Sequence, residues 1–338
     1  MDAVNRQVRL AARPDGLPKP SDWDHTQEPV GEPGDGEVLV RVKYLSLDPA
    51  MRGWMNAGRS YVPPVEIGEV MRALAVGHVV ESRRPGFAVG DAVSGLFGVQ
   101  RYALSDGAGV NKIDTTLAPA TVHLGALGIS GLTAYFGLLD IGRPQPGQTV
   151  LVSGAAGSVG AIVGQIAQIT GCRAVGIAGG EQKCRWLVEE VGFDAAIDYK
   201  TADLRAELKT YAPNRIDVFF DNVGGAALEA GLDRLARGAR IVLCGAVSQY
   251  NDTPAGPANY MQLLVARASM TGFVVFDYLA RYPEGVAQLA KWLDKGQLRS
   301  HEHIEHGDVG DFPETLLKLF TGQNTGKLIM ALNDASPR

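Results

Sequence analysis

Cysteine is scarce in this chain. Only Cys172, Cys184 and Cys244 occur in 338 residues, all in its second half. None form a C-x-x-C pair, which excludes a disulfide framework and a four-cysteine structural zinc lobe. Scattered in this way, they read as buried free thiols in a reducing compartment, and the expected location is cytoplasmic. There is no Lys/Arg run, and 32 basic against 37 acidic residues leave a net charge of −5. That balance argues against a nucleic-acid surface. No apolar stretch reaches the length of a membrane span. The opening M-D-A-V-N-R-Q-V-R-L lacks the apolar core of a signal peptide. Internal repeats, low-complexity tracts and disordered linkers are also missing.

Glycine and apolar residues are plentiful. There are 42 glycines alongside 46% hydrophobic residues, a balance that suits tight strand–helix turns more than disorder. The length allows two domains with ample core. The most informative stretch is T-V-L-V-S-G-A-A-G-S-V-G, Thr149 to Gly160. A β-branched run, Thr149 to Val152, meets a glycine-punctuated turn, and Ala161 to Thr170 then reads as a helix. Such a turn aims a helix N-terminus, with its unpaired amides and positive dipole end, at an anion beyond the strand. Gly157 would let the backbone approach a diphosphate, and Gly160 would let the helix pack close on the strand. The pattern is Gly154-x-x-Gly157-x-x-Gly160, with Ala156 in the usual second-glycine slot, so alone it also fits any close helix–strand crossing.

Context favours a dinucleotide. Apolar runs at Arg173–Ala178, Ala195–Asp198, Ile216–Asp221 and Ala239–Cys244 alternate with helical segments at Gln182–Val191, Ala202–Ala212 and Ala226–Leu235. This alternation predicts a doubly wound parallel sheet of Rossmann type. The early chain differs. Glu37–Ser46 alternates, with Val38, Val40, Val42 and Tyr44 on one face, as in a half-buried antiparallel strand. Ala75–Glu81, Ala92–Gly95 and Gln100–Leu104 are short strands between turns such as Val89-Gly90-Asp91. Leu124–Leu139 turns helical. A long helix follows Tyr278, then a strand near Glu302–His306, a helix at Asp311–Phe320 and a strand at Lys327–Leu332. The expected organisation is a β-rich domain over residues 1–126 and 301–338, with a nucleotide-binding domain over 127–300.

This layout resembles the medium-chain dehydrogenase/reductase superfamily over nearly its whole length. S-L-D-P-A-M-R (Ser46–Arg52), G-L-T-A-Y-F-G-L (Gly131–Leu138), A-A-G-S-V-G (Ala155–Gly160), F-D-N-V-G-G (Phe220–Gly225), C-G-A-V-S-Q-Y-N (Cys244–Asn251), G-F-V-V (Gly272–Val275) and G-Q-N-T-G-K (Gly322–Lys327) are similar to the zinc-independent alkenal and prostaglandin/leukotriene reductases. That group includes curcumin reductase and the plant double-bond reductases. The resemblance implies a GroES-like β-rich catalytic domain, a Rossmann domain and NADPH as cofactor. It places the diphosphate on Gly157, Ser158, Val159 and Gly160, and the 2′-phosphate on Lys183 and Tyr199. It also sets Asn222, the segment Cys244–Tyr250 with Gly245 and Ser248, Phe273, Val274, Val275 and Asn324 along the nicotinamide half. The family's Asp-Pro-Tyr-Met-Arg is Asp-Pro-Ala-Met-Arg here, with Ala50 in the tyrosine slot, so the substrate pocket is expected to differ in shape. A homodimer joined at the Rossmann sheet edges follows from superfamily habit.

Some candidates stand on chemistry as well. An NAD-specific site wants an acid at the end of the second strand. Here Gly179-Gly180 leaves room for a phosphate and Lys183 offers a point charge, although Glu181 is also near. Zinc wants three protein ligands. Gly77-His78 continues into Val79 instead of Glu, and Ser46 stands in the slot where zinc enzymes carry cysteine, so no metal is expected. His301, His303 and His306 read as a solvated edge strand. An enone that accepts hydride at its β-carbon becomes an enolate, which needs a hydrogen-bond donor and then a proton. Tyr250, after the fifth sheet strand, is the candidate, and a packing or cofactor-binding role is the alternative. Tyr61 either faces the substrate or packs a turn. The reading is an NADPH-dependent reductase of enals and enones. The rivals are a quinone oxidoreductase and a nucleotide-binding module without turnover, and whether Tyr250 or the cofactor ribose hydroxyl is the donor stays open.

Overall fold

The computed structural model describes residues 4–333. They divide into two compact units: residues up to Leu124 with those from Glu302 onward, and Gly125–His301. In the first unit, β1 (Val4–Leu10) pairs antiparallel with β2 (Trp23–Pro29). Then come β3 (Val38–Ser46), α1 (Ala50–Trp54), β4 (Ala75–Ser82), β5 (Ala92–Gly95), β6 (Tyr102–Ser105) and β7 (Asn111–Lys112). β3 pairs antiparallel with both β4 and β6, so it lies inside the sheet. It is more buried than simple alternation predicts. Leu39 and Leu45 are buried with Val38, Val40 and Val42, while Tyr44 is only half-buried. The register shifts at Leu39/Val40 and Val42/Tyr44, and such bulges exchange the faces of the residues that follow.

The second unit carries α2 (Ile129–Phe136), β8 (Thr149–Ser153), α3 (Ser158–Ile169), β9 (Arg173–Ala178), α4 (Glu181–Trp186), β10 (Ala195–Asp198) and α5 (Leu204–Tyr211). It continues with β11 (Ile216–Asp221), α6 (Gly225–Leu232), β12 (Leu235–Leu243), α7 (Gln262–Ala266), β13 (Ser269–Gly272) and α8 (Tyr282–Asp294). The six strands run parallel in the order β10-β9-β8-β11-β12-β13. This is the doubly wound Rossmann arrangement, whose strand order reverses between β8 and β11. Ligands bind in such sheets beyond the carboxyl ends of the strands at that switch point. Val150, Leu151 and Val152 are fully buried, as expected for a strand covered on both faces.

The chain then returns to the first unit with β14 (Glu302–Gly307), α9 (Phe312–Thr321) and β15 (Lys327–Leu332). β15 pairs parallel with β14 and antiparallel with β3. No described helix is long and apolar enough to cross a membrane.

Close crossings in the second unit are made by glycine. A Cβ on Gly164 of α3 would lie 2.0 Å from Phe193 Cζ, and one on Gly176 of β9 would lie 3.1 Å from Phe193 Cδ1. Both residues therefore make room for one buried ring. Gly164→Ala is expected to cost about 1–3 kcal/mol through overpacking and to lower the melting temperature accordingly. A thermal transition indistinguishable from wild type would contradict this packing.

Candidate active site

The turn after β8 is built for close approach. Gly154 adopts φ +58°, and a Cβ there would meet Val223 Cγ2 at 3.3 Å. On Gly160 a Cβ would lie 2.4 Å from the Gly154 carbonyl oxygen and 2.8 Å from Ala155 Cα. The close packing expected of Gly160 is therefore against the turn itself rather than against the strand. Gly157 caps α3 with φ −85°, and its only close neighbour is the Gly154 oxygen at 3.2 Å. Absence of a side chain there leaves an open cradle. In α3, Ala161 N–H donates to the Gly157 carbonyl, so the amides of Ser158, Val159 and Gly160 precede that bond. Ser158 Oγ is buried and has no hydrogen-bond partner among the described residues. An open cradle, leading amides and an orphaned hydroxyl fit a diphosphate.

Next to this turn lies a buried carboxyl group. Asp221 is fully buried at the end of β11, and burial pushes its acidity toward higher pKa. Ser153 Oγ donates to its Oδ1 at 2.6 Å, and the amides of Val223 and Gly224 donate at 3.1–3.2 Å. Ser153 Oγ in turn accepts from Asn222 N–H at 2.8 Å, and Asn222 Nδ2 donates to the Ser153 carbonyl at 2.8 Å. The loop after β12 joins the same net. Cys244 and Gly245 amides donate to the Asp221 carbonyl at 2.9 and 3.2 Å. Ser248 Oγ donates to the Val223 carbonyl at 2.6 Å. Ala246 N–H donates to Tyr250 Oη at 3.3 Å, and a Cβ on Gly245 would lie 2.9 Å from that oxygen. Asn222, Cys244, Gly245, Ser248 and Tyr250 are thus brought together at the carboxyl edge. Burial pushes the Cys244 thiol up to about 12, so it is no thiolate nucleophile.

The corner after β9 holds Lys183, Tyr199 and a residue the sequence reading omitted, Lys200. A Cβ on Gly179 would lie 2.8 Å from Tyr199 Cε1 and 3.0 Å from Lys200 Cε. Gly179 therefore packs beneath these side chains, a correction to the expectation that it leaves room for a phosphate. Gly180 does leave space, since nothing lies within 4 Å of a Cβ there, and its φ is +102°. Glu181 pairs with Arg185 on the exposed helix surface. Burial, then the Lys200 charge, holds the Lys183 ammonium below its usual pKa.

Farther along, Phe273 packs its ring edge-on to Phe220 and Tyr278, both at 6.4 Å. Gly137 admits it, because a Cβ there would lie 2.5 Å from Phe273 Cζ. Val274 is half-buried and Val275 buried. Arg281 pairs with Asp140 and Glu284 and covers the Phe136 ring at 5.0 Å, fixing this segment. Asn324 and Tyr61 lie in the first unit. Asn324 is buried and donates to the Gly326 carbonyl at 3.0 Å. Tyr61 is exposed, and its hydroxyl accepts from Trp54 Nε1 at 3.4 Å.

Two family models match, "N-terminal domain of oxidoreductase" over residues 6–113 and "Zinc-binding dehydrogenase" over 158–292. The NADPH-dependent curcumin reductase of Escherichia coli is 42% identical, covering 96% of both chains. The chain belongs to the medium-chain dehydrogenase/reductases, in their NADP-dependent curcumin and alkenal reductase branch. The NADP(+)-dependent 2-alkenal reductase of Nicotiana tabacum is 37% identical, covering 98% of both chains. CurA from Vibrio vulnificus, solved in complex with NADPH, superposes with TM-score 0.92 at 43% identity over 98% of this chain and all of that one.

This reductase keeps no zinc ligand set in its described residues, since no group of three or more His, Cys, Asp or Glu is placed to hold a metal. Ser46 donates to Asp48, which also receives the buried Lys327 ammonium. His303 pairs with Glu305 at 2.9 Å, and His301 lies edge-on to Trp186 at 4.9 Å, so the histidines do not converge. Besides Lys200, the sequence reading missed Ser153 and Asp221. Lys200 was signalled by its place beside Tyr199 at a strand end. Asp221 was signalled by an acid closing an otherwise apolar strand.

The depressed Lys183 pKa gives the expected cofactor contact a pH dependence. If protonated Lys183 holds the 2′-phosphate, NADPH is expected to bind best below the lowered Lys183 pKa and to weaken as pH rises through it, by up to about tenfold per pH unit. Lys183→Arg should flatten that fall, because guanidinium stays charged. Fluorescence titration over the alkaline range checks this. An equal fall for NADH, or a flat wild-type profile, would contradict it.

Proposed function

We propose that this chain is an NADPH-dependent reductase of carbon–carbon double bonds conjugated to a ketone or aldehyde carbonyl. The observation that carries the reading is the Tyr250 hydroxyl at the carboxyl edge of the sheet, accepting from Ala246 N–H beside Gly245. A hydroxyl that accepts one hydrogen bond is polarised to donate another. The curcumin and alkenal reductase relatives support the same chemistry.

The roles divide along the geometry. Gly157, Ser158, Val159 and Gly160 would hold the diphosphate, and Lys183, Tyr199 and Lys200 the 2′-phosphate. Asn222, Ser248, Phe273, Val274, Val275 and the backbone of Cys244 and Gly245 would line the nicotinamide half. Asn324 and Tyr61 join the cofactor and substrate sides by resemblance. Gly125–His301 then serves as the cofactor unit, and the other unit as the β-rich catalytic one. NADPH supplies a hydride when bound. Tyr250 donates a hydrogen bond to the carbonyl oxygen of the enal or enone, stabilising the enolate that forms as its β-carbon gains hydride. A proton at the α-carbon completes the saturated carbonyl compound. Cytoplasmic location is part of this reading.

A homodimer also belongs to it. β13 closes one edge of the parallel sheet and is largely exposed. Tyr260, Met261, Leu264 and Val265 nearby are exposed apolar residues. Such an edge and patch suit a second copy. Light scattering should therefore give about twice the 35.9 kDa chain mass, and a monomer at micromolar concentration would overturn the dimer.

The activity is tested by following NADPH oxidation with enals, enones and quinones side by side. Enals and enones should be reduced fastest. Tyr250→Phe should lower their turnover by about 10²–10³ while NADPH affinity changes little. Preference for quinones, or full turnover in the variant on a substrate with a deuterium isotope effect, would overturn the reading.

A further inference from the structure

Asp198, the last residue of β10, has both carboxylate oxygens engaged. Oδ1 accepts from the Gly180 amide at 2.7 Å and the Lys200 amide at 3.0 Å, and Oδ2 accepts from Thr201 Oγ1 at 3.1 Å. Its backbone carbonyl accepts from Thr201 and Ala202, closing the turn. These bonds, the Gly180 one foremost, hold its pKa below the usual carboxylate range, so the group is anionic in the working range. One carboxylate therefore ties the corner after β9 to the turn after β10.

We propose that Asp198 is a positioning residue that selects the 2′-phosphorylated dinucleotide, an inference that rests on the NADPH reading above. The bonds of Asp198 lead to both cations. Gly180 precedes α4, and its carbonyl accepts from Cys184 N–H at 3.2 Å in the first turn of that helix. Orienting Gly180 therefore aims α4, and α4 carries Lys183. The Lys200 amide held by the same carboxylate aims the second ammonium, whose chain crosses Gly179. Both cations that would grip the phosphate are set by a single acid. Sites that select the unphosphorylated ribose offer a carboxylate to its hydroxyl. Asp198 spends its oxygens on two amides and a threonine hydroxyl, so its charge is absorbed by the scaffold instead of facing the ribose.

The test uses the full chain and two probes, adenosine 2′,5′-bisphosphate and adenosine 5′-monophosphate, titrated by calorimetry. Wild type should prefer the bisphosphate. Asp198→Ala should cut that preference about tenfold or more, with monophosphate binding little changed. Asp198→Asn keeps an acceptor for both amides and should retain the preference. Asp198→Ser caps its own turn without reaching Gly180, so it too should lose the preference, and it serves if the alanine variant fails to fold. An unchanged ratio in the serine or alanine variant, an equal loss of both probes, or an asparagine variant as poor as alanine would overturn the proposal. Absence of any preference in wild type would instead overturn the NADPH reading.

Discussion

The site depends on one buried interaction, the Ser153 hydroxyl on the Asp221 carboxyl at 2.6 Å. Asp221 is fully buried, so its charge is costly to hold unless its oxygens are satisfied. Satisfying them draws in the amides of Val223 and Gly224, and Ser153 draws in Asn222. The Asp221 carbonyl captures the loop after β12. The ends of β8, β11 and β12 cannot move apart without stranding donors or acceptors in the interior, which costs about 1–3 kcal/mol for each group. The glycine turn departs from Ser153, the Asn222 loop from Asp221 and the Tyr250 loop from β12. The bond thus sets the glycine turn against the loop that carries the Tyr250 hydroxyl.

A similar economy governs the corner proposed to hold the 2′-phosphate. Gly179 lies under Tyr199 and Lys200, Gly180 turns at positive φ, and Asp198 joins the two segments. Burial, and after it the Lys200 charge, holds the Lys183 ammonium below its usual pKa.

Much of the second unit was legible, because its buried parallel strands are apolar runs with clear ends. Thr149, Arg173, Ala195 and Ile216 begin strands both in the pattern and in the structure. β12 starts earlier than the pattern implied, at Leu235, since the apolar signal is broken by Arg237 and Gly238. β1 and β2 escaped notice because V-N-R-Q-V-R-L and W-D-H-T-Q-E-P are mostly polar, and β13 because S-M-T-G is an exposed edge. Alternation in β3 misled because bulges change which residues face inward. In the site, motif positions such as Gly157 and Tyr250 were legible. Long-range hydrogen bonding was not, since nothing local tells that the Ser153 hydroxyl donates to Asp221, 68 residues away.

The central claim is hydride delivery to the β-carbon of a conjugated carbonyl compound. NADPH carrying deuterium at the transferred position of its nicotinamide, reacted with an enone and followed by NMR of the product, tests it most directly. The account predicts deuterium on the β-carbon, a solvent-derived hydrogen on the α-carbon and an intact carbonyl. Deuterium on the carbonyl carbon of an alcohol product, or none in the product, would contradict it.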